Sequence, residues 1–290
     1  MRAIVPWVVC LLVVLLVGAA GAAAAGGEAD DPTAIVLAYD YVGDIDKLGF
    51  NEPSGIVYHA ARGTLFVVGD EGDICEIETD GTPVKQTHVR DGDFEGVTYN
   101  PATGLLYVAV EGEERILEIH PDDFRVLREF QIERSYKGVE LLKPGGQGIE
   151  AIAFVPDSAH PEGGTFYLAN QGFALHPTED PSVIVEVVVP LKSDAKAAAA
   201  RGVRALHVGV LDIAAMHYDT ASGHIYIVSD ATNTLFEMDT SGKLLRGWAF
   251  PCDNQEGITV DPQGFLYVAQ DHGGIIKLKW REGGPAGRGG

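Results

Sequence analysis

One short pattern recurs five times along the chain, and it leaves few folds open. An apolar strand ending in a large side chain is followed, after a turn, by Gly-x-Φ-aromatic. The second element reads Gly63-Thr-Leu-Phe66, Gly104-Leu-Leu-Tyr107, Gly164-Thr-Phe-Tyr167, Gly223-His-Ile-Tyr226 and Gly264-Phe-Leu-Tyr267. The strand before it reads Gly55-Ile-Val-Tyr58, Gly96-Val-Thr-Tyr99, Ala151-Ile-Ala-Phe154, Ala215-Met-His-Tyr218 and Gly257-Ile-Thr-Val260. Between the aromatic residues the spacings are 41, 60, 59 and 41. Each copy carries a third strand, and four of them a fourth, so the unit is a quartet of short strands repeated every forty-odd residues. That period predicts an all-β chain folded as a five-bladed β-propeller. The fifth copy has three strands, and residues 34–42 form an orphan strand ahead of the first. Joining them closes the ring and removes the open sheet edges. The two wide spacings hold insertions at 135–146 and 194–204, and the alanine run of the second predicts a short helix.

The ends of the chain are set apart by composition. Residues 3–18 are almost wholly apolar, preceded by Arg2 and followed by an alanine-rich tract, which predicts a signal peptide over 1–25 with cleavage near Ala25. The alternative is an uncleaved membrane anchor over residues 3–19. A linker at 26–33, the propeller at 34–280 and a disordered Gly-rich tail at 281–290 complete the division. The expected location is extracytoplasmic, periplasmic or secreted. Cys75 and Cys252 fall in copies that are not neighbours, so two free thiols are expected rather than a disulfide. With 21 basic and 42 acidic residues the formal charge is −21, which repels nucleic acid and attracts metal cations and basic ligands.

Aligning the copies also aligns their acids. Just before or within the start of each first strand stand Glu52, Glu95, Glu150, Asp212 and Glu256; in two copies the acid sits two residues earlier, an offset that keeps a strand side chain on one face. Four residues past each Gly-x-Φ-aromatic stand Asp70, Glu111, Gln171, Asp230 and Asp271. The first strand of a propeller blade lines the central channel and the second returns antiparallel to it. The first set should therefore ring the channel mouth, and the second should form a wider acidic ring on the same face. So many carboxylates repel one another unless a cation neutralises them. An oxygen-only donor set suits Ca2+ better than zinc, which prefers histidine and thiolate. The competing role for these carboxylates is as latches accepting backbone N–H groups of the adjoining blade.

The segments Asn51-Glu-Pro-Ser-Gly55, Gly69-Asp-Glu-Gly72, Asp93-Phe-Glu-Gly-Val97, Gly148-Ile-Glu-Ala151 and Gln255-Glu-Gly-Ile258 resemble the bacterial SdiA-regulated family over about residues 34–280. The resemblance implies an extracytoplasmic five-bladed propeller with bound calcium and no established reaction. It extends distantly to calcium-dependent lactonases and esterases of the paraoxonase and gluconolactonase type, and to NHL-repeat proteins. The chain departs from those lactonases in having five copies rather than six. It also keeps only Asn51 and Asn254 near the mouth.

Two functions follow. The first is a binding module in which a divalent cation stiffens the hub and the acidic face receives a small molecule or an extracytoplasmic protein. The second is a calcium-dependent hydrolase of an ester, lactone or phosphoester, with His272 as the candidate base beside Asp271. His59 and His224 fall on the opposite face and were given no role. No Gly-x-Ser-x-Gly or Ser-x-x-Lys supplies a nucleophile.

Overall fold

In the computed structural model, the residues described are 35–142, 148–176, 179, 181–250 and 253–281. The expected signal peptide, the linker, Cys252 and all but the first residue of the tail lie outside them. Cys75 is a buried free thiol. Among the described residues there are strands and no helix.

Each repeat builds one antiparallel four-stranded unit. The first consists of Pro53–His59, Thr64–Gly69, Asp73–Glu78 and Pro83–His88, and the second of Asp93–Tyr99, Leu106–Glu111, Arg115–Ile119 and Val126–Ile132. The third comprises Ile149–Pro156, Gly164–Asn170, Ile184–Val188 and Ala197–Leu206. Ile213–Asp219, His224–Ser229, Thr234–Asp239 and Leu244–Ala249 make the fourth. The fifth takes Gln255–Val260, Phe265–Gln270 and Ile275–Trp280 from one end of the chain and Tyr39–Asp44 from the other. The first strands of successive units pack against one another in chain order, and that of the fifth packs against that of the first. Second strands lie between neighbouring units, so both of their faces are buried. Thr64–Gly69, Leu106–Glu111 and Gly164–Asn170 are buried at every position. This explains why the repeated Gly-x-Φ-aromatic segments are apolar without alternation.

The alanine run is a strand, not a helix. Ala197–Leu206 pairs antiparallel with Ile184–Val188 and parallel with Val126–Ile132 of the second unit, in the register Glu129↔Ala197 to Ile132↔Ala200. A run this short cannot nucleate a helix alone, and two open strand edges claim its backbone. The pairing fuses the second and third units into one eight-stranded sheet. The 135–146 insertion contains a small hairpin, Ser135–Tyr136 with Val139–Glu140. The orphan strand is also divided. Leu37 donates to Ala249 O at 3.1 Å in the fourth unit, and the strand proper, Tyr39–Asp44, belongs to the fifth.

Many acids are consumed by packing. Opposite the aromatic of each second strand, the third strand carries Glu76, Glu118, Glu186 or Glu237. These acids pair with Arg62, Arg128, Arg204 and Arg246 respectively. In the fifth unit the corresponding residue opposite Tyr267 is Lys277.

Glycines of the first strands, two of them directly after Glu95 and Glu256, set how closely the units approach. A Cβ at Gly55 would meet Glu95 O at 2.6 Å and Val97 N at 2.9 Å; at Gly96 it would meet Ile152 N at 2.9 Å, and at Gly257, Ile56 N at 2.9 Å. Each obstacle belongs to the next first strand around the ring and is backbone, so it cannot turn aside. Gly96→Ala is therefore expected to cost about 2–4 kcal/mol by overpacking. Chemical denaturation would read this as a lower midpoint at unchanged slope, whereas an unchanged midpoint would mean that the strands have room to separate.

Candidate functional site

The start of every first strand is irregular in the same way. Register breaks between Pro53 and Gly55, Phe94 and Val97, Ile149 and Ala151, Ile213 and Ala215, and Gln255 and Gly257. The residues within these bulges include Ser54, Glu95, Glu150, Ala214 and Glu256. A β-bulge re-aims the side chain it carries, and here it gathers three glutamates. Glu150 and Glu256 border a void of about 10 Å³ at the channel waist, between Gly55, Gly96 and Gly257. That is room for about one water-sized particle. One carboxylate oxygen each from Asp70, Asp93 and Glu95 lie within 4.8 Å of one another.

The electrostatics report the same convergence. Burial, then repulsion from Glu150, Asp93, Asp70 and Glu256, holds Glu95 well above the usual carboxylate range. Burial and the neighbouring Glu111 and Glu256 push Glu150 up to about 9. Glu256 is pushed up to about 8 by burial and by Asp230, Asp212, Asp271 and Asp70. Asp70, Asp93 and Asp212 are also raised, in each case chiefly by burial. Among the described residues, no lysine or arginine is among the leading influences on these six groups.

The predicted residues separate into three roles. Glu95, Glu150 and Glu256 lie within electrostatic reach of one another. Asp212 is 4% exposed beside them, with Oδ2 accepting from Ala231 N at 2.9 Å and Oδ1 without a hydrogen-bond partner. In the outer set, Glu111 accepts from Gly148 N at 2.8 Å and Asp230 from Gln255 N at 2.9 Å. Latching to the next unit is thus the work of outer-set acids, not of the first-strand glutamates. Asp70 instead joins Asp93 and Glu95, with the Ser54 hydroxyl donating to it. Asp271 contributes repulsion to Glu256, and Gln171 lies beside Asp212.

Glu52 departs from the expectation: it is exposed and outside the group. Its φ of 44° places it in the left-handed region, and the bulge at Ser54 intervenes. The two-residue parity argument holds only for regular strand; Asp212 shares this left-handed φ and bulge yet is buried, so the backbone alone does not explain why Glu52 is exposed. Asp93, two residues before Glu95 in the same segment, joins it here although the repeat pattern singles out Glu95. His272 is exposed beside Asp271, away from the axis.

The family model described as SdiA-regulated matches residues 38–272, most of the chain. The chain belongs to the SdiA-regulated family. The matched stretch holds all five first strands, and in this family member the Glu-Gly pairs are the axis carboxylate plus the glycine that lets the next unit approach. Among solved structures, the fold is similar to the glutaminyl cyclase of Myxococcus xanthus. The TM-score is 0.56 at 14% identity, over 84% of this chain and 97% of that one. A further likeness is to the Cps50 (Swd1) β-propeller domain of Myceliophteria thermophila, with TM-score 0.49 at 8% identity, over 84% and 100% of the two chains. At these identities the likeness is one of fold.

Proposed function

We propose that this SdiA-regulated protein is an extracytoplasmic five-bladed β-propeller, closed by its N-terminal strand, that holds one Ca2+ in its acidic mouth and acts there as a ligand- or partner-binding module. The observation that carries this reading is the close approach of one carboxylate oxygen each from Asp70, Asp93 and Glu95, with Glu150 and Glu256 within electrostatic reach of Glu95. Two oxygens on opposite sides of a calcium ion, each about 2.4 Å from it, are about 4.8 Å apart. The oxygens of Asp70, Asp93 and Glu95 meet that limit. The donors are all oxygen, which favours Ca2+ over zinc. Glu95, Glu150, Glu256, Asp70 and Asp93 would hold the ion; once bound, it would present open coordination positions to a ligand at the mouth.

Calorimetric titration of chelator-stripped protein tests this. One Ca2+ is expected to bind per chain, with Mg2+ at least tenfold weaker, because the smaller ion gives up its water reluctantly. Glu150→Gln and Glu95→Gln should each weaken Ca2+ at least tenfold, and Glu52→Gln should leave it unchanged. Absence of Ca2+ binding, or equal losses in all three variants, removes the metal site.

A further inference from the structure

The first strands do not end at the acids. They run on through the channel to its other mouth, and the side chains at their far ends surround a cavity of about 460 Å³. This lies within the usual size range of small-molecule sites. Its inner wall is apolar, built from Ile56, Val97, Met216 and Ile258. Around the opening stand Tyr58, Tyr99 and Tyr218, together with His217, Asp219 and Asp261.

The charge of this lining is one-sided. No lysine or arginine borders the cavity among the described residues. Burial pushes His217 down to about 4, so the ring is neutral at physiological pH, with Nδ1 3.3 Å from Thr259 Oγ1. Asp219 accepts from Ala221 N and from the amide and hydroxyl of Ser222. These bonds fix the carboxylate in its turn and leave its charge in place. Asp261 is fixed likewise by Gln263 N, Phe265 N and the Tyr267 hydroxyl, with Lys277 within electrostatic reach behind it. The Tyr58 and Tyr218 hydroxyls are held protonated, chiefly by burial and then by Asp261 and Asp219 respectively. Aromatic rings carry negative charge on their faces and attract ammonium groups, more strongly when desolvated. The chain's net charge of −21 adds a field of the same sign. An anion would find neither a donor cluster nor a cation here. A neutral apolar ligand would gain nothing from the negative field of the lining.

We propose that this cavity is a second binding site, for an organic monocation of the ammonium class with an apolar body, held among Tyr58, Tyr99 and Tyr218 with Asp219 as its counter-ion. Ile56, Val97, Met216 and Ile258 also line the void beside Glu150 and Glu256, so the two sites share that wall, but none of the groups that would hold the cation is a metal-site acid.

Choline and 3,3-dimethylbutan-1-ol test the proposal, since they share a shape and differ in the charge of one atom. In calorimetric or NMR titrations of the calcium-treated protein, choline is expected to bind at least tenfold tighter than the alcohol. Tyr218→Leu should weaken choline at least fivefold, Tyr218→Phe should keep the ring and the binding, and Asp219→Asn should weaken choline without affecting the alcohol. The same affinities are expected in EDTA with the Glu150→Gln variant, so failure of the metal reading would leave this result standing. Equal affinity for the two probes, no binding of either, or full choline affinity in a folded Tyr218→Leu variant would overturn the proposal.

Discussion

In EDTA, the protein's melting temperature is expected to fall as the pH is raised from about 5 to 9, and Ca2+ should abolish most of that fall. The cause is the glutamate cluster. Glu150 and Glu256 have folded-state values of about 9 and about 8, against an ordinary 4.5, and Glu95 is also raised. Between the ordinary value and the raised one, the folded chain binds more protons than the unfolded chain. Stability therefore decreases with rising pH across that window. The contribution is fully present below pH ~4.5 and lost on passing through the folded-state values. A displacement of one pKa unit corresponds to about 1.4 kcal/mol. Because the three glutamates repel one another, their contributions overlap, and a total near 5 kcal/mol is expected rather than the sum. At about 2–4 °C per kcal/mol for a domain of this size, the fall should be roughly 10–20 °C.

A substitution separates this cause from general acid effects. Glu150→Gln removes one ionisable group from the cluster while keeping its shape, so in EDTA at pH 8 the variant should melt about 4–8 °C above the parent. In saturating Ca2+ the order should reverse, because the parent gains a ligand-linked stabilisation that the variant has lost. A functional site that opposes folding until its ion arrives predicts this crossover. A structural carboxylate would be destabilised by the change in both buffers. A flat melting profile from pH 5 to 9 in EDTA would mean that the glutamates are separated in solution, and the metal reading would fail with it.

The architecture was legible because each repeat carries the same local instructions: a glycine at the turn, a strand buried on both faces, and an aromatic at a fixed offset. Of the candidate acids, Glu95 and Glu256 recur as Glu-Gly pairs at the same point of the repeat. What the pattern hid was geometry finer than a strand's two-residue period. A bulge at every first strand, and left-handed backbone at Glu52, Asp212 and Asn254, break the two-residue alternation on which the parity argument relied. Asp212 remained buried and Glu52 did not, although both occupy the same position of the repeat. The alanine run misled because its conformation is set by the edge strands of two units, which lie far away in sequence. The tyrosine-lined cavity was in plain view as the last residue of Gly55-Ile-Val-Tyr58, Gly96-Val-Thr-Tyr99 and Ala215-Met-His-Tyr218. In the repeat they mark only the end of a strand, and the cavity brings the three together.

Removing the closing strand should have the largest effect on folding. A chain that starts at Phe50 loses every partner of the outer edge of Ile275–Trp280, whose register with Tyr39–Asp44 runs from Tyr39↔Trp280 to Asp44↔Ile276. It also loses Leu37, 1% exposed in the cluster that holds Trp248 and Trp280. Burial of one leucine is worth about 2–5 kcal/mol, and each backbone hydrogen bond adds about 1 kcal/mol. The loss approaches the whole stability of an average domain, and the bared strand edge invites aggregation. The truncated chain is expected to be insoluble or to lack a cooperative melt. A circular permutant distinguishes closure from any other role of the N-terminus. Arg281 N donates to Ala38 O at 2.9 Å, so the end of the fifth unit already lies beside the start of the closing strand. Moving residues 36–49 to follow Arg281 through a short glycine-containing turn would make the closing strand part of a hairpin. This permutant should melt within a few degrees of the parent and keep the EDTA pH dependence of the glutamate cluster. If the truncated chain folded cooperatively without residues 36–49, ring closure would not be what holds the five units around their axis. The permutant also alters folding speed predictably. Closing the ring through a local hairpin replaces the most distant strand pairing in the chain, so its refolding should be faster than the parent's at similar stability.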